Sequence, residues 1–224
     1  MSIFELENHN YDFKMGQYFG RGWEIFKAKA MPFVGFTFLI IAIAIFLPVI
    51  LPYPLGSGNP EAGQLGGNVV VNILSPLLNA GFYIVALQIA RNRPTVFSDF
   101  FQGFKEAIPI LLLFIISTVF TVVGFFILVL PGIYLAVSYV LSVPLLLDKN
   151  LDFWPAMETS RKLVGKKWFA FFGFVLVLGL VNIVGALFVG LGLLVTLPWT
   201  VCTMTAAYED IVGLNSVAEA GIDF

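Results

Sequence analysis

The stretch AIPILLLFIISTVFTVVGFFILVLPGIYLAVSYVLSVPLLL, residues 107–147, contains no charged side chain and decides the fold class of this protein. A membrane-spanning helix needs about 20 residues, because it crosses a hydrocarbon core of about 30 Å at 1.5 Å per residue. An apolar stretch of roughly 40 residues therefore predicts two membrane-spanning helices joined by a tight turn.

Three further apolar stretches occupy residues 31–55, 69–90 and 168–207. The last is again long enough for two helices, so we expect an all-α membrane protein with six transmembrane helices arranged as three helical hairpins. Glycine and proline end helices best, which predicts the two tight turns within residues 124–132 and 185–192. Pro131 and Pro198 could each begin the following helix or kink it, and the sequence leaves both alternatives open.

The composition of the whole chain indicates an integral membrane protein. Of its 224 residues, 59% are hydrophobic and 12% are charged, and the mean hydropathy is +0.94. Soluble proteins contain about 25% charged residues, so this chain lacks the polar side chains that a water-facing surface requires. The net charge of −2 argues against a nucleic-acid partner, since phosphate neutralisation needs a basic surplus.

The positions of the basic residues predict the topology. All 12 Lys and Arg residues precede the first span or lie between spans two and three or between spans four and five. Residues 56–68, expected to be the largest external segment, contain none. Because cytoplasmic loops attract Lys and Arg, both termini are expected in the cytoplasm. Residues 1–10 lack the basic start of a signal peptide and are expected to form a flexible tail, with residues 11–224 as a single domain.

The three basic segments are also amphipathic. Aromatic and charged residues alternate with near-helical spacing around Phe19 and Trp23, around Phe100 and Phe104, and from Asp152 onward. We therefore expect amphipathic helices in the cytoplasmic interface before spans one, three and five. The recurrence indicates an internal repeat with units 11–95, 96–150 and 151–213, or else the weak similarity that any six-span protein shows.

Residues that could carry catalysis are scarce. The predicted spans contain no ionisable side chain of the kind that intramembrane chemistry uses. The single histidine, His9, and the single cysteine, Cys202, argue against a Ser-His-Asp triad and a Cys-based zinc site. We therefore expect no enzyme activity, no metal site and no cofactor. The acids Asp148, Glu209 and Asp210 are interpreted as solvated at the membrane interface.

Uncharged polar residues within the spans permit two interpretations. Asn72, Ser75 and Asn79 share one face of span two, and Asn182 lies in span five. Further hydroxyl groups lie in span three, at Ser117, Thr118 and Thr121. These groups could hydrogen-bond between helices, at about 0.6 kcal/mol per pair, or line a pocket for a headgroup or small solute. Either way the three asparagines should face the bundle interior, because amides facing lipid would stay unpaired.

Four cations lie within seven residues beside the predicted fifth span: Arg161, Lys162, Lys166 and Lys167. Each cation near an anionic membrane surface contributes about 1 kcal/mol. These side chains are therefore expected to contact lipid headgroups.

Five different short motifs are distributed along most of the chain: Gly22-Trp23-Glu24, FSDFFQGF at 97–104, LPGIY at 130–134, SRKL at 160–163 and AAYED at 206–210. In these motifs the chain from Tyr11 onward resembles a family of small bacterial integral membrane proteins related to the membrane domain of glycerophosphoryl diester phosphodiesterases. The resemblance implies a six-helix bundle in the bacterial inner membrane. It implies little chemistry, because most proteins of that family have no assigned activity. The expected spans also leave no room for the catalytic domain of the phosphodiesterases.

Two functional hypotheses follow. The first is a non-enzymatic scaffold or accessory subunit of a membrane assembly, whose partners are membrane lipids and other membrane proteins or further copies of the chain. The second is a transporter or channel for a lipid or small uncharged solute, which would use the polar group of Asn72, Asn79 and Asn182.

The predicted topology can be tested by cysteine labelling. A cysteine placed at Ser57 should react with a membrane-impermeant maleimide added from outside, whereas one placed at Lys166 should not. The reverse labelling pattern would overturn the six-span topology.

Overall fold

The structure is a computed structural model that describes residues 10–50, 60–187 and 190–214. This part of the chain is helical throughout and contains no β-strand, which confirms the all-α fold class. The helices are α1 Met15–Ala28, α2 Ala30–Ile50, α3 Pro60–Ala90, the 3-10 helix η1 Phe97–Phe104, α4 Ala107–Ile127, α5 Val129–Ser138, α6 Ser142–Lys149, α7 Phe153–Lys166, α8 Trp168–Leu187 and α9 Leu193–Val212.

Five segments are long and apolar enough to cross a membrane, as expected for an integral membrane protein. They are α2, the part of α3 from Gly66 onward, α4, the α5–α6 pair and α8. Helix α9, the expected sixth span, is not among them and carries two acids near its end, Glu209 and Asp210. Residues 1–9 of the expected tail and residues 56–59 of the expected external segment lie outside the described residues, whereas residues 60–68 form the start of α3.

Both tight turns occur where glycine and proline predict them. Helix α4 ends at Ile127, and α5 begins at Val129 after one extended residue. A Cβ atom on Gly124 would lie 3.1 Å from Gly132, so the two helices approach each other closely here. Pro131 lies in the first turn of α5, where proline is tolerated, whereas Pro198 lies inside α9.

Burial divides the bundle into two layers along its length. The charged layer consists of α1, residues 77–91, η1, α6, α7 and residues 198–212. Side chains are buried almost continuously over residues 77–91, α6 and residues 198–212, whereas α1, η1 and α7 each carry both buried and exposed side chains. All 12 Lys and Arg residues lie in or directly beside this layer. Large apolar side chains are exposed in the apolar layer, which consists of α5 and residues 38–50, 66–76, 112–127, 176–187 and 193–197. An exposed surface of this composition suits contact with lipid chains.

The three amphipathic segments are helical, as predicted, but the middle one is the 3-10 helix η1 rather than an α-helix. The Asp99 carboxylate accepts a hydrogen bond from Val96 N at 2.8 Å and another from Gln102 at 3.0 Å, which stabilises the short, tight turns. Glycines let η1 approach α3: Gly103 faces the Leu77 carbonyl, and Gly81 faces the Phe100 backbone.

Helix α1 packs along α9. Its buried residues are Tyr18, Gly22, Ile25 and Phe26, and a Cβ atom on Gly22 would lie 2.5 Å from Thr203 Cα. The buried face of α1 is therefore occupied by protein, and the close approach depends on the missing side chain at position 22.

The fourth predicted span is interrupted. Helices α5 and α6 are separated by a turn at residues 139–141. The buried Ser160 hydroxyl of α7 donates to the Ser138 carbonyl at 2.7 Å and accepts a hydrogen bond from Leu141 N at 3.2 Å. The neighbouring helix thus satisfies backbone groups that the interruption leaves without helical partners.

The docking of α1 on α9 is tested by two glycine substitutions on one helix. Gly22→Ala should destabilise the protein by about 1–3 kcal/mol through overpacking against Thr203. Gly20→Ala should change stability by less, or raise it by up to about 1 kcal/mol, because the position is open and alanine favours helix. Thermal unfolding in detergent measures both. Equal effects would contradict the docked position of α1.

Candidate functional site

A lateral pocket of about 480 Å³ lies between α3, α4 and the interrupted span formed by α5 and α6. Its polar lining comes from two helices and from the interruption itself: Ser75 and Asn79 of α3, Ser117, Thr118 and Thr121 of α4, and Tyr139 at the break. The remaining lining is apolar and includes Phe114, Val122 and Val143. No charged side chain lines this pocket in the part of the chain that the structure describes.

The polar groups of the lateral pocket differ in how fully they are hydrogen-bonded. Ser75 Oγ donates to the Val71 carbonyl at 2.7 Å, and Ser117 Oγ donates to the Phe114 carbonyl at 3.1 Å. Each hydroxyl oxygen keeps acceptor capacity. The Asn79 amide is exposed and has no hydrogen-bond partner among the described residues. The pocket thus presents both donors and acceptors within an apolar surround.

The four polar residues expected from the sequence do not form one site. Ser75 and Asn79 line the lateral pocket, whereas Asn182 lies between α8 and α9. Asn182 Nδ2 donates to Thr200 Oγ1 at 2.8 Å, which is the interhelical hydrogen bond of the first interpretation. Asn72 is exposed and donates to the Asn68 carbonyl of its own helix at 2.8 Å. The expectation that Asn72 faces the bundle interior is wrong, because its amide is satisfied within α3.

The four expected lipid-contacting cations lie at the end of α7 and directly after it. Arg161 donates to both Glu158 oxygens, at 2.7 and 2.9 Å, and Lys162 Nζ lies 3.6 Å from the same carboxylate. The hydrogen bonds from Arg161 hold the pKa of Glu158 below its ordinary value. Lys166 and Lys167 are exposed. The cluster therefore presents less net positive charge than its four cations suggest.

A buried ionic cluster joins the ends of three helices in the charged layer. The Asp148 side chain is 0% exposed. It is hydrogen-bonded by Arg91, which directly follows α3, accepts a hydrogen bond from Tyr208 OH of α9 at 2.7 Å, and lies 3.2 Å from Lys149 Nζ. Lys149 also donates to the Gly213 carbonyl at 3.0 Å. The sequence interpretation of Asp148 as solvated is wrong, since tertiary packing encloses it with two cations.

The paired acids at the end of α9 hold α1 in place. Arg21 donates to both carboxylate oxygens of Glu209 at 3.1 Å, and Tyr18 OH donates to Asp210 at 2.9 Å. The hydrogen bond with Glu209 raises the pKa of Arg21. Burial, together with the negative charge of Asp210, raises the pKa of Tyr18. Glu209 is half-exposed and Asp210 is exposed, but both are hydrogen-bonded to α1. The sequence interpretation of these two acids as solvated at the membrane interface is therefore incomplete.

Comparison with protein-family models, with curated proteins and with solved structures finds no match for this chain. The family resemblance seen in the short motifs therefore stays a prediction. Within the described residues, no group of three or more His, Cys, Asp or Glu side chains is placed to hold a metal ion.

The buried ionic cluster should dominate stability at the charged end. Asp148→Asn leaves Arg91 and Lys149 buried without their counter-ion, so we expect a loss of about 3–5 kcal/mol in the free energy of unfolding. Asp152→Asn, an exposed position at the start of α7, should cost less than about 0.5 kcal/mol. Chemical unfolding in detergent distinguishes the two variants, and similar losses would contradict the cluster.

Proposed function

We propose that this chain is a non-enzymatic integral membrane protein that binds a membrane lipid in the lateral pocket. The observation that carries this proposal is the pairing of Ser75 and Asn79 with the hydroxyl groups of α4 around one cavity of about 480 Å³. Ligand sites are typically concave and mostly apolar, with a few convergent polar groups. Hydroxyl and amide groups without charge suit the ester and glycerol region of a lipid, and the apolar lining suits its hydrocarbon chain.

The proposed membrane placement has the charged layer on the cytoplasmic side of a bacterial inner membrane, with both termini cytoplasmic. The concentration of all 12 Lys and Arg residues at this end of the bundle supports it. Helix α9 is proposed as the sixth span and completes the third hairpin with α8, which it contacts through Thr200 and Asn182. Arg161, Lys162, Lys166 and Lys167 would then face anionic headgroups.

The scaffold hypothesis assigns no ligand to the lateral pocket, and this difference separates it from the lipid-binding proposal. A lipid-binding protein should retain a lipid after purification in mild detergent, whereas a scaffold without a lipid site should lose its lipids uniformly. A transporter or channel would use the same pocket but requires an opening to the opposite side of the membrane.

Lipid retention can be measured by native mass spectrometry after stepwise delipidation. Asn79→Leu should abolish retention of the bound lipid while the thermal unfolding transition persists, because it removes the pocket amide that has no hydrogen-bond partner among the described residues. Thr118→Val, which keeps the side-chain shape and removes the hydroxyl, should weaken retention.

Asn72→Leu is the matched control, since it makes the same change on the same helix at a position that does not line the pocket. This variant should retain lipid as the wild type does. Loss of lipid from all three variants alike, or a wild-type protein that retains none, would refute the lipid-binding site and favour the scaffold.

A further inference from the structure

The interruption between α5 and α6 forms one wall of the lateral pocket. This wall consists of Ala136 of α5, Tyr139 and Val140 at the interruption, and Val143 of α6. Its residues come from both sides of the interruption. The shape of the pocket therefore depends on the angle at which α5 meets α6.

The backbone hydrogen bonds at the interruption depart from the α-helical pattern. In a continuous α-helix, Leu141 N would donate to the Val137 carbonyl. The Ser138 carbonyl would accept from Ser142 N in the same way. At this point of the described chain neither bond forms, and Ser142 N donates instead to the Tyr139 carbonyl at 3.0 Å. A short stretch of such tighter turns within a helix often marks a functional hinge.

The Ser160 hydroxyl of α7 occupies the gap in this hydrogen-bond ladder. It donates to the Ser138 carbonyl at 2.7 Å and accepts from Leu141 N at 3.2 Å. These are the two backbone groups that the interruption releases, so one side chain replaces both missing bonds. A side chain that inserts into the helical ladder bends the helix at the point of insertion.

Packing within α7 holds the Ser160 side chain in place. Ser160 is 0% exposed, and so are Ala156, Leu163 and Val164, which lie on the same face of the helix. The hydroxyl uses both its donor and an acceptor position within this packed surround. The site of the bend is therefore set by the neighbouring helix as well as by the sequence of the span itself.

Tyr139 connects the bend to the pocket. Its N–H donates to the Leu135 carbonyl of α5 at 3.1 Å, while its carbonyl accepts from Ser142 N of α6. The backbone of Tyr139 is thus bonded to both segments of the span, and its side chain lines the pocket together with the hydroxyl groups of α4. A change in the angle between α5 and α6 must move Tyr139 relative to α3 and α4.

We propose that Ser160 is the positioning residue of the lateral pocket. By holding the bend between α5 and α6, it places Tyr139 against the bound lipid without touching the lipid itself, since no residue of α7 lines the pocket. This inference rests on the lipid-binding function proposed above. It adds that the affinity of the pocket depends on a helix outside its lining.

Removal of the Ser160 hydroxyl leaves the span two responses. The Leu141 N–H and the Ser138 carbonyl stay unpaired, which is costly among apolar side chains, or the ladder closes into a straighter helix. Both responses change the bend and displace Tyr139, so both should weaken lipid binding.

The test is a titration of the delipidated full-length protein in detergent with dioleoylphosphatidylethanolamine, followed by native mass spectrometry. This lipid carries no net charge, so the charged side chains next to Ser160 contribute little to its binding. Ser160→Ala should raise the dissociation constant about tenfold, as expected when a buried hydrogen-bonded hydroxyl is lost.

Ser142→Ala is the matched control, because it makes the same change at the start of α6, directly beside the interruption. The Ser142 hydroxyl is also buried, but it has no hydrogen-bond partner and does not line the pocket. The dissociation constant of this variant should stay within about twofold of the wild-type value. Equal weakening in Ser142→Ala and Ser160→Ala would overturn the proposal.

A double-mutant cycle tests whether Ser160 acts through Tyr139. Tyr139→Phe, which removes the hydroxyl, should itself weaken lipid binding severalfold. In the Tyr139→Phe background, Ser160→Ala should raise the dissociation constant by less than about threefold, because the group that it positions is already absent. Additive effects would show that Ser160 has a structural role alone and would overturn the proposal.

Ser160→Cys guards against a Ser160→Ala variant that does not fold. It keeps the shape of the side chain but forms weaker hydrogen bonds, so it should raise the dissociation constant by about threefold. The thermal unfolding transition in detergent shows whether each variant is folded.

Asn79→Leu separates failure of this inference from failure of the proposed function. If the wild type binds lipid and Asn79→Leu does not, while both Ser160 variants bind within about twofold of the wild type, the positioning role is overturned and the lipid site stands. If the wild type shows no saturable binding, the lipid site and the positioning role are both overturned.

Discussion

The buried carboxylate of Asp148 is the constraint on which the charged end of the bundle depends. A carboxylate that is 0% exposed must be compensated by cations and hydrogen-bond donors, which here are Arg91 directly after α3, Tyr208 of α9 and the adjacent Lys149. Since Arg91 and Tyr208 must both reach it, the ends of α3, α6 and α9 have to meet at one point. Arg91 is also among the residues that line a small cavity of about 40 Å³ in the charged layer.

The amphipathic segments complete the charged layer around this point. Helix α1 is held on α9 by Arg21 and Tyr18 and approaches it at Gly22, and η1 approaches α3 through Gly81 and Gly103. The Ser160 hydroxyl of α7 forms hydrogen bonds with the backbone of Ser138 and Leu141 at the interruption between α5 and α6. Close backbone contact and buried hydrogen bonds thus produce a compact layer, from which the more exposed apolar helices extend.

A second, smaller cavity of about 40 Å³ lies beyond the lateral pocket, at the end of α3. Ser75 and Asn79 line the lateral pocket. Gln88, about 2.5 turns beyond Asn79, and Arg91, directly after α3, line the smaller cavity. Ile110 of α4 lines the lateral pocket, and Glu106, directly before α4, lines the smaller cavity. The two linings differ in chemistry. The lateral pocket, in the apolar layer, is lined by uncharged donors and acceptors within an apolar surround. The smaller cavity, in the charged layer, is lined in part by the charged residues Arg91, Lys105 and Glu106.

The sequence by itself determined the properties that depend on local pattern. Apolar runs predicted the long helices, glycine and proline predicted the turns at 124–132 and 185–192, and amphipathic spacing predicted helical segments before the spans. It also identified Ser75, Asn79 and the hydroxyl groups of α4 as polar groups of interest, although not that they line one pocket.

Tertiary structure alone decided the burial of Asp148, the separation of Asn182 from Asn79, and the outward position of Asn72. The physical reason is distance along the chain: Asp148 is paired with residues 57 and 60 positions away, and Arg21 with one 188 positions away. Hydropathy and spacing are read within one helix, whereas the partner of a buried polar group depends on which helices pack together.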